Sequence, residues 1–152
     1  MIKEITNKEE KINISTMILN DLPEWFGIPE STKEYIDCSA DMPFWAAFKD
    51  GKAVGFIALK ETSPYTAEVY VTGILKEYHR HGIGRQLFDA FYEYAKDHGY
   101  SFIQVKTVQE GHYKEYDQSC RFYKSVGFKE LECFPTLWDE WNPCQIFIMA
   151  LH

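Results

Sequence analysis

Residues 78–87 combine two glycines with arginine and histidine side chains, a set of groups that could hold a phosphate. They read Tyr78-His79-Arg80-His81-Gly82-Ile83-Gly84-Arg85-Gln86-Leu87. A β-branched apolar run from Val69 to Leu75 precedes them and an amphipathic segment from Gly84 to Asp97 follows, which predicts a strand, a loop and a helix. Amide N–H groups and the dipole at a helix N-terminus favour an anion, and glycine lets it approach the backbone closely. The stretch predicts a site for a phosphate-bearing ligand.

The same glycines do not match the common nucleotide-binding motifs. The third glycine of a dinucleotide fingerprint is missing, and the strands before the loop look like an antiparallel meander. The Gly-Lys-Ser/Thr of a nucleotide-hydrolase phosphate loop is also missing. A Rossmann-like nucleotide binder is therefore disfavoured, while a glycine-rich turn with surface charges stays open as the simplest alternative.

Composition limits the classes of function. The chain has 152 residues, 45% of them hydrophobic, which fits one domain over residues 1–152. The net charge of −7 disfavours nucleic-acid binding, and no apolar run is long enough to span a membrane. Four scattered cysteines form no CxxC and share no ligand spacing with the histidines, so we expect no metal site and a cytoplasmic location.

The elements needed to position the loop follow a mixed order. Hydrophobic periodicity predicts β α α β β β α β α β β, an α/β (α+β) chain whose mixed, twisted central sheet is flanked by helices. Asn7 followed by Glu10 predicts the start of the first helix, and Ser31 with Glu34 predicts the start of the second. Asp50-Gly51 predicts a hairpin, and Ser119 to Val126 is expected to form a short helix. Gly73, inside a strand, indicates a bulge or a close backbone approach. Residues 134–143 are expected to form a long aromatic loop.

Two segments resemble signatures of the GCN5-related N-acetyltransferase (GNAT) family. Residues 71–84 resemble its coenzyme A motif, Gln/Arg-x-x-Gly-x-Gly/Ala, with His79 in the Gln/Arg position. Residues 121–128, Arg-Phe-Tyr-Lys-Ser-Val-Gly-Phe, resemble its second signature, Phe-Tyr-x-x-x-Gly-Phe. The order of elements extends the resemblance over nearly the whole chain and implies the acyl-CoA N-acyltransferase fold.

The resemblance implies acetyl-CoA as the acyl donor and a primary amine of a small molecule or peptide as the acceptor. The amine attacks directly, without a covalent enzyme intermediate and without a metal. The backbone of Ile74 and Lys76 would pair with the pantetheine arm as an added strand does. The pyrophosphate would be held by the loop and the start of the helix, namely His79, Arg80, His81, Gly82, Ile83, Gly84 and Arg85.

The resemblance also suggests the catalytic groups. Tyr123 falls on the general-acid position, where it would protonate the departing thiolate. A bulge at Gly73 would open a slot for the thioester and aim the N–H near Ile74 at its oxygen. Glu68, on the strand before that bulge, is the candidate general base, acting through water. The alternatives are that Tyr123 is a core aromatic and that Glu68 is a solvated or salt-bridged carboxylate.

Two aromatic segments are expected beside the acceptor. Trp25 and Phe26 lie in one, and Trp138, Asp139 and Trp141 lie in the other, where aromatic rings and carboxylates could hold an amine. Loop packing or a homodimer contact would explain the same aromatics. A catalytically weak CoA-binding regulatory or sensing module is the alternative function, because His79 departs from the Gln/Arg of the motif.

Overall fold

The computed structural model describes residues 1–152 and contains four α-helices and seven strands. The helices are α1 (Lys8–Asn20), α2 (Pro29–Ser39), α3 (Ile83–Asp97) and α4 (Lys114–Ser125). The strands are β1 (Ile2–Glu4), β2 (Phe44–Lys49), β3 (Lys52–Ser63), β4 (Thr66–Ile74), β5 (Phe102–Val108), β6 (Lys129–Asp139) and β7 (Asn142–Ala150). None of the helices is both long and apolar enough to cross a membrane.

One mixed sheet carries all the strands, in the order β1-β2-β3-β4-β5-β7-β6. Neighbours are antiparallel except for β4 and β5, which run parallel. This confirms the predicted fold class. The single parallel pair positions the loop predicted to bind phosphate, because α3 provides the crossover between the two strands and the loop lies in that crossover.

Local sequence explains several of these elements. Asn7 caps α1 by accepting the Glu10 N–H at 2.9 Å. The β2–β3 turn has φ values of 50° at Asp50 and 78° at Gly51, the left-handed pair that a two-residue hairpin needs. The buried face of α3 has the spacing of one helical stripe and consists of Ile83, Leu87, Phe88, Phe91 and Ala95.

Three expectations about elements were wrong. Helix α2 begins at Pro29 rather than Ser31, and its N-cap residue Ile28 makes no side-chain capping bond. The preset φ of proline makes it a favourable first residue of a helix, which explains the earlier start. Helix α4 likewise begins at Lys114, before the expected Ser119. The segment 134–143 is not a loop, because β6 and β7 form a hairpin that turns between Asp139 and Asn142.

Gly73 is not the bulge. Its pairing with Phe56 is regular, whereas Val71 lies opposite Ala58 and Val69 opposite Leu59, so the extra residue is Tyr70. A Cβ on Gly73 would lie 3.1 Å from side-chain atoms of Ile18, on α1, and of Leu22, just after α1. The glycine therefore serves the close backbone approach, since it lets α1 pack against β4.

Candidate active site

Strands β4 and β5 separate partway along their length. Their parallel pairing covers Thr66–Val69 and Phe102–Val105 and then ends. Beyond that point β4 continues to Ile74 beside β3, while β5 continues to Val108 beside β7. The bulge at Tyr70 comes directly after the last paired residue, and a bulge bends its strand. The result is a slot between the two strands, which we call the β4–β5 slot.

The free edge of β4 faces this slot. The Leu75 N–H donates to Val54 O at 2.9 Å, so the alternation of an antiparallel ladder directs the N–H and C=O of Ile74 away from β3. That carbonyl accepts a hydrogen bond from His79 Nε2 at 2.7 Å, and the Lys76 N–H donates to Asp21 Oδ2 at 2.9 Å. Of the four backbone groups of Ile74 and Lys76 expected to pair with a pantetheine arm, the Ile74 N–H has no hydrogen bond. The Ile74 C=O and both the N–H and the C=O of Lys76 are bonded within the protein.

A cluster of free amides lies at the end of this edge. The backbone turns through a single 3₁₀ turn (Lys76–Tyr78) and enters α3 through Gly82, which has φ 77°. None of the six consecutive N–H groups of residues 80–85 donates a hydrogen bond within the protein; the first helical bond is Gln86 N–H to Gly82 O. The first turn of α3 has no acidic side chain and no side-chain cap. Free amides at a helix N-terminus favour an anion, so this cluster has the geometry expected of the predicted phosphate site.

The side chains around these amides point in different directions. Arg80 and His81 are exposed, and Arg80 has φ 66°, a left-handed value that costs a non-glycine residue about 1–2 kcal/mol. Arg85 donates to Ser125 O at the end of α4 (3.3 Å). His79 faces away from the amides, towards Ile74 O, and its ring lies edge-on to Trp25 at 5.9 Å. The structure thus separates His79 from the other predicted phosphate-binding residues.

Tyr123 lies on α4 with its ring in the core. It packs against Phe122, Phe128 and Phe147 at centroid distances of 5.7, 5.7 and 6.2 Å. Its hydroxyl makes no hydrogen bond in the protein. Every side-chain N or O atom that is sealed from solvent has a hydrogen-bond partner, so the Tyr123 oxygen must keep some contact with solvent. Burial raises the pKa of Tyr123 well above that of a free phenol, which keeps the hydroxyl a proton donor.

Glu68 lies one residue before the pairing of β4 and β5 ends. It is buried, and its Oε1 accepts a hydrogen bond from Gln104 Nε2 at 2.8 Å and forms an ion pair with Lys106 Nζ at 3.2 Å. Lys106, with 35% of its side chain exposed, is the first β5 residue beyond the pairing. The carboxylate is thus held in place by two donors at the closed end of the slot.

Both aromatic segments meet the start of α4. Trp25 Nε1 donates to Glu115 O at 3.2 Å, and Tyr116 Oη donates to Trp25 O at 2.8 Å. Tyr113, the residue before α4, donates its hydroxyl to Trp141 O on the β6–β7 hairpin at 3.3 Å. The segments carrying the residues expected near an acceptor are therefore brought together at one end of α4.

The individual acceptor residues differ in exposure and in their contacts. Phe26 is half-buried and lies edge-on to Tyr35 at 5.8 Å. Trp138 and Trp141 are 43% and 71% exposed. The Asp139 carboxylate accepts hydrogen bonds from Trp141 N and the Asn142 side chain, so it holds the hairpin turn together rather than standing free.

Four residues at the site were missed by the reasoning from sequence: Asp21, Gln104, Lys106 and Tyr116. Two patterns could have indicated three of them. Gln104 and Lys106 are two residues apart on a strand and so share a face, and Tyr116 lies seven residues before Tyr123 on one face of α4. No local pattern marks Asp21.

The chain is similar in fold to several solved acetyltransferases. An acetyltransferase from Streptococcus agalactiae is 22% identical with a TM-score of 0.78, covering 99% of this chain and 98% of the other. The aminoglycoside 6'-N-acetyltransferase from Enterococcus faecium is 18% identical with a TM-score of 0.74, covering 99% and 96%. A GNAT family acetyltransferase from Elizabethkingia anophelis with acetyl-CoA bound is 18% identical with a TM-score of 0.68, covering 86% and 88%.

No curated protein matches the chain significantly. The model of the Acetyltransferase (GNAT) family, however, matches residues 14–128. This range includes the β4–β5 slot, the free amides and Tyr123, and the match confirms the resemblance found in the two sequence signatures. The chain therefore belongs to the GNAT family of acetyltransferases.

Proposed function

We propose that this chain, acting as one domain over residues 1–152, is an acetyl-CoA-dependent N-acetyltransferase that acetylates a primary amine of a small molecule or peptide. The observation that carries the proposal is the line of unbonded backbone N–H groups at residues 80–85, at the end of the free β4 edge. A pyrophosphate fits such amides, and an extended amide-containing arm fits a free strand edge. Structures of relatives with acetyl-CoA or coenzyme A bound support this donor.

The proposed roles of the donor-side residues follow from their geometry. The amides of Arg80 to Arg85 hold the pyrophosphate, the exposed Arg80 adds positive charge beside it, and the exposed His81 adds a ring N–H donor. The N–H of Ile74 donates to the arm. His79 orients the Ile74 carbonyl. This role replaces the direct phosphate contact expected of the residue at the Gln/Arg position of the motif.

An ammonium loses two protons on its way to an amide and the departing sulfur gains one, so each turnover releases one proton. When bound, acetyl-CoA supplies an acetyl group activated as a thioester. An acceptor amine is mostly an ammonium at neutral pH and must lose a proton, and we assign its uptake to Glu68 through water. As nitrogen bonds to the acetyl carbon and the C–S bond breaks, the nitrogen loses its second proton to solvent. The Tyr123 hydroxyl donates a hydrogen bond to the departing sulfur, which takes up its proton from solvent.

On the acceptor side we propose Trp25, Phe26, Trp138, Asp139 and Trp141 as the residues around the amine. The aminoglycoside acetyltransferase among the structural neighbours makes a small polyamine-like molecule the first acceptor to try. Four free cysteines suit a reducing compartment, so we propose that the protein acts in the cytoplasm. The exposed hairpin tip also suits a homodimer contact, which size-exclusion chromatography with light scattering would test.

A direct test is acetyl-CoA-dependent thiol release with a panel of amines: aminoglycosides, polyamines, amino acids and short peptides. We expect release that requires both acetyl-CoA and one amine class, with the product heavier by one acetyl group. The exposed Cys38 would react with the thiol reagent, so a reaction without amine is the blank. Tight acetyl-CoA binding without turnover on any amine would instead favour a sensing module, the alternative suggested by the position of His79.

A further inference from the structure

The connection between α1 and α2 is fastened to both sides of the β4–β5 slot. On the β4 side, the Asp21 carboxylate accepts the Lys76 N–H at 2.9 Å and Glu24 pairs with Lys76 Nζ at 2.7 Å. On the α4 side, Trp25 is hydrogen-bonded to residues 115 and 116. We call residues 21–26 the strap, because they run from the end of β4 to the start of α4.

The two bonds at the α4 side are reciprocal. Trp25 donates from its ring nitrogen to Glu115 O and accepts at its own carbonyl from the Tyr116 hydroxyl, across 90 and 91 residues of sequence. No local turn or helix requires these contacts, so tertiary packing alone maintains them. Burial raises the pKa of Tyr116 to about 12, which keeps its hydroxyl a donor at any working pH.

The strap also contacts the loop that leads into α3. The Trp25 ring lies edge-on to His79, whose Nε2 bonds Ile74 O on the free β4 edge. Trp25 is half-buried by these contacts. Trp25 thus contacts the loop before the free amides and the helix that carries Tyr123, and it reaches the β4 edge through His79.

We infer that Trp25 and Tyr116 are positioning residues that hold the strap closed over the arm of acyl-CoA. This inference rests on the proposed function. An arm that runs from the amides of residues 80–85 to the Tyr123 hydroxyl passes between the β4 edge and α4, which is the gap that the strap crosses. The strap therefore slows the release of the donor.

The test is Tyr116→Phe, which keeps the ring and removes only the hydroxyl bond to Trp25 O. A neutral hydrogen bond contributes about 1 kcal/mol, which corresponds to a roughly fivefold change in an equilibrium constant. We expect CoA to dissociate about fivefold faster in stopped-flow measurements and KM for acetyl-CoA to rise by a similar factor. KM for the amine should change less than KM for acetyl-CoA, because the substitution leaves the Trp25 ring itself in place.

Tyr113→Phe is the matched control. Tyr113 also lies at the start of α4 and also donates its hydroxyl to a backbone carbonyl, that of Trp141 on the hairpin. Its loss should leave CoA dissociation at the wild-type rate. Trp25→Phe removes the other bond of the pair and carries the test if Tyr116→Phe does not fold.

Three results would overturn the inference. One is a wild-type rate of CoA dissociation in both Tyr116→Phe and Trp25→Phe. Another is a parallel change in both KM values and in thermal stability, which would indicate general loosening. The third is a wild-type protein that binds no acetyl-CoA, and this result alone would overturn the proposed function as well.

Discussion

Removing the Tyr123 hydroxyl separates its catalytic role from its role in the core. Tyr123→Phe leaves the ring packed against Phe122, Phe128 and Phe147, and no protein group loses a hydrogen-bond partner. We therefore expect the free energy of unfolding to stay within about 0.5 kcal/mol of wild type in urea titrations.

The expected loss of rate follows from the acidity of the hydroxyl. The raised pKa of Tyr123 makes full proton transfer to a thiolate, whose conjugate acid has a pKa near ~8.5, unfavourable. The hydroxyl then acts mainly by hydrogen bonding to the departing sulfur. A hydrogen bond to a charged group contributes about 1.5–3 kcal/mol, so kcat should fall roughly 10- to 150-fold.

Amine-dependent thiol release under saturating acetyl-CoA measures this change. Tyr100→Phe is the control, because Tyr100 donates to Glu61 at 2.7 Å and neither residue is among those proposed for the site. That variant should lose up to about 1 kcal/mol of stability and keep its kcat. If Tyr123→Phe instead kept the wild-type kcat, Tyr123 would be a core aromatic and the proposed acid would be wrong.

Three further predictions concern the backbone and the thiols. Gly73→Ala should destabilise the fold by about 1–3 kcal/mol in urea titrations, because its Cβ would lie 3.1 Å from two side chains packed on it; wild-type stability would contradict this. Arg80→Gly should be more stable than Arg80→Ala by about 1 kcal/mol, because residue 80 has a left-handed φ of 66°. Calorimetry should find the affinity for acetyl-CoA equally weakened in both variants. Equal stabilities of the two variants would show that this φ carries no strain. Burial raises the pKa of Cys120 and of Cys144 to about 11, so iodoacetamide at pH 8 should modify the exposed Cys38 first, as judged by mass spectrometry; early modification of either buried thiol would contradict their burial.

Sequence patterns predicted the elements that local physics determines. The Asp50-Gly51 turn, the Asn7 cap and the buried stripe of α3 each depend on residues near one another in the chain. The same holds for the loop before α3, where two glycines precede an amphipathic run. The order of elements along the chain could also be predicted, because the two family signatures lie within these elements.

Features that depend on distant residues were not predictable in this way. The bulge lies at Tyr70 rather than Gly73, because the register between β3 and β4 decides it and glycine content does not. The ion pair of Glu68 with Lys106 and the bonds between Trp25 and Tyr116 join segments far apart in the chain. A single sequence carries no direct signal of such pairs.

The central claim is that the free amides of residues 80–85 bind the pyrophosphate of acetyl-CoA. Isothermal titration of the purified protein with acetyl-CoA tests this binding. NADH and ATP serve as controls, because they also carry pyrophosphate or several phosphates. We expect a micromolar dissociation constant for acetyl-CoA and no measurable binding of the two controls. Absence of acetyl-CoA binding, or equal binding of all three, would contradict it.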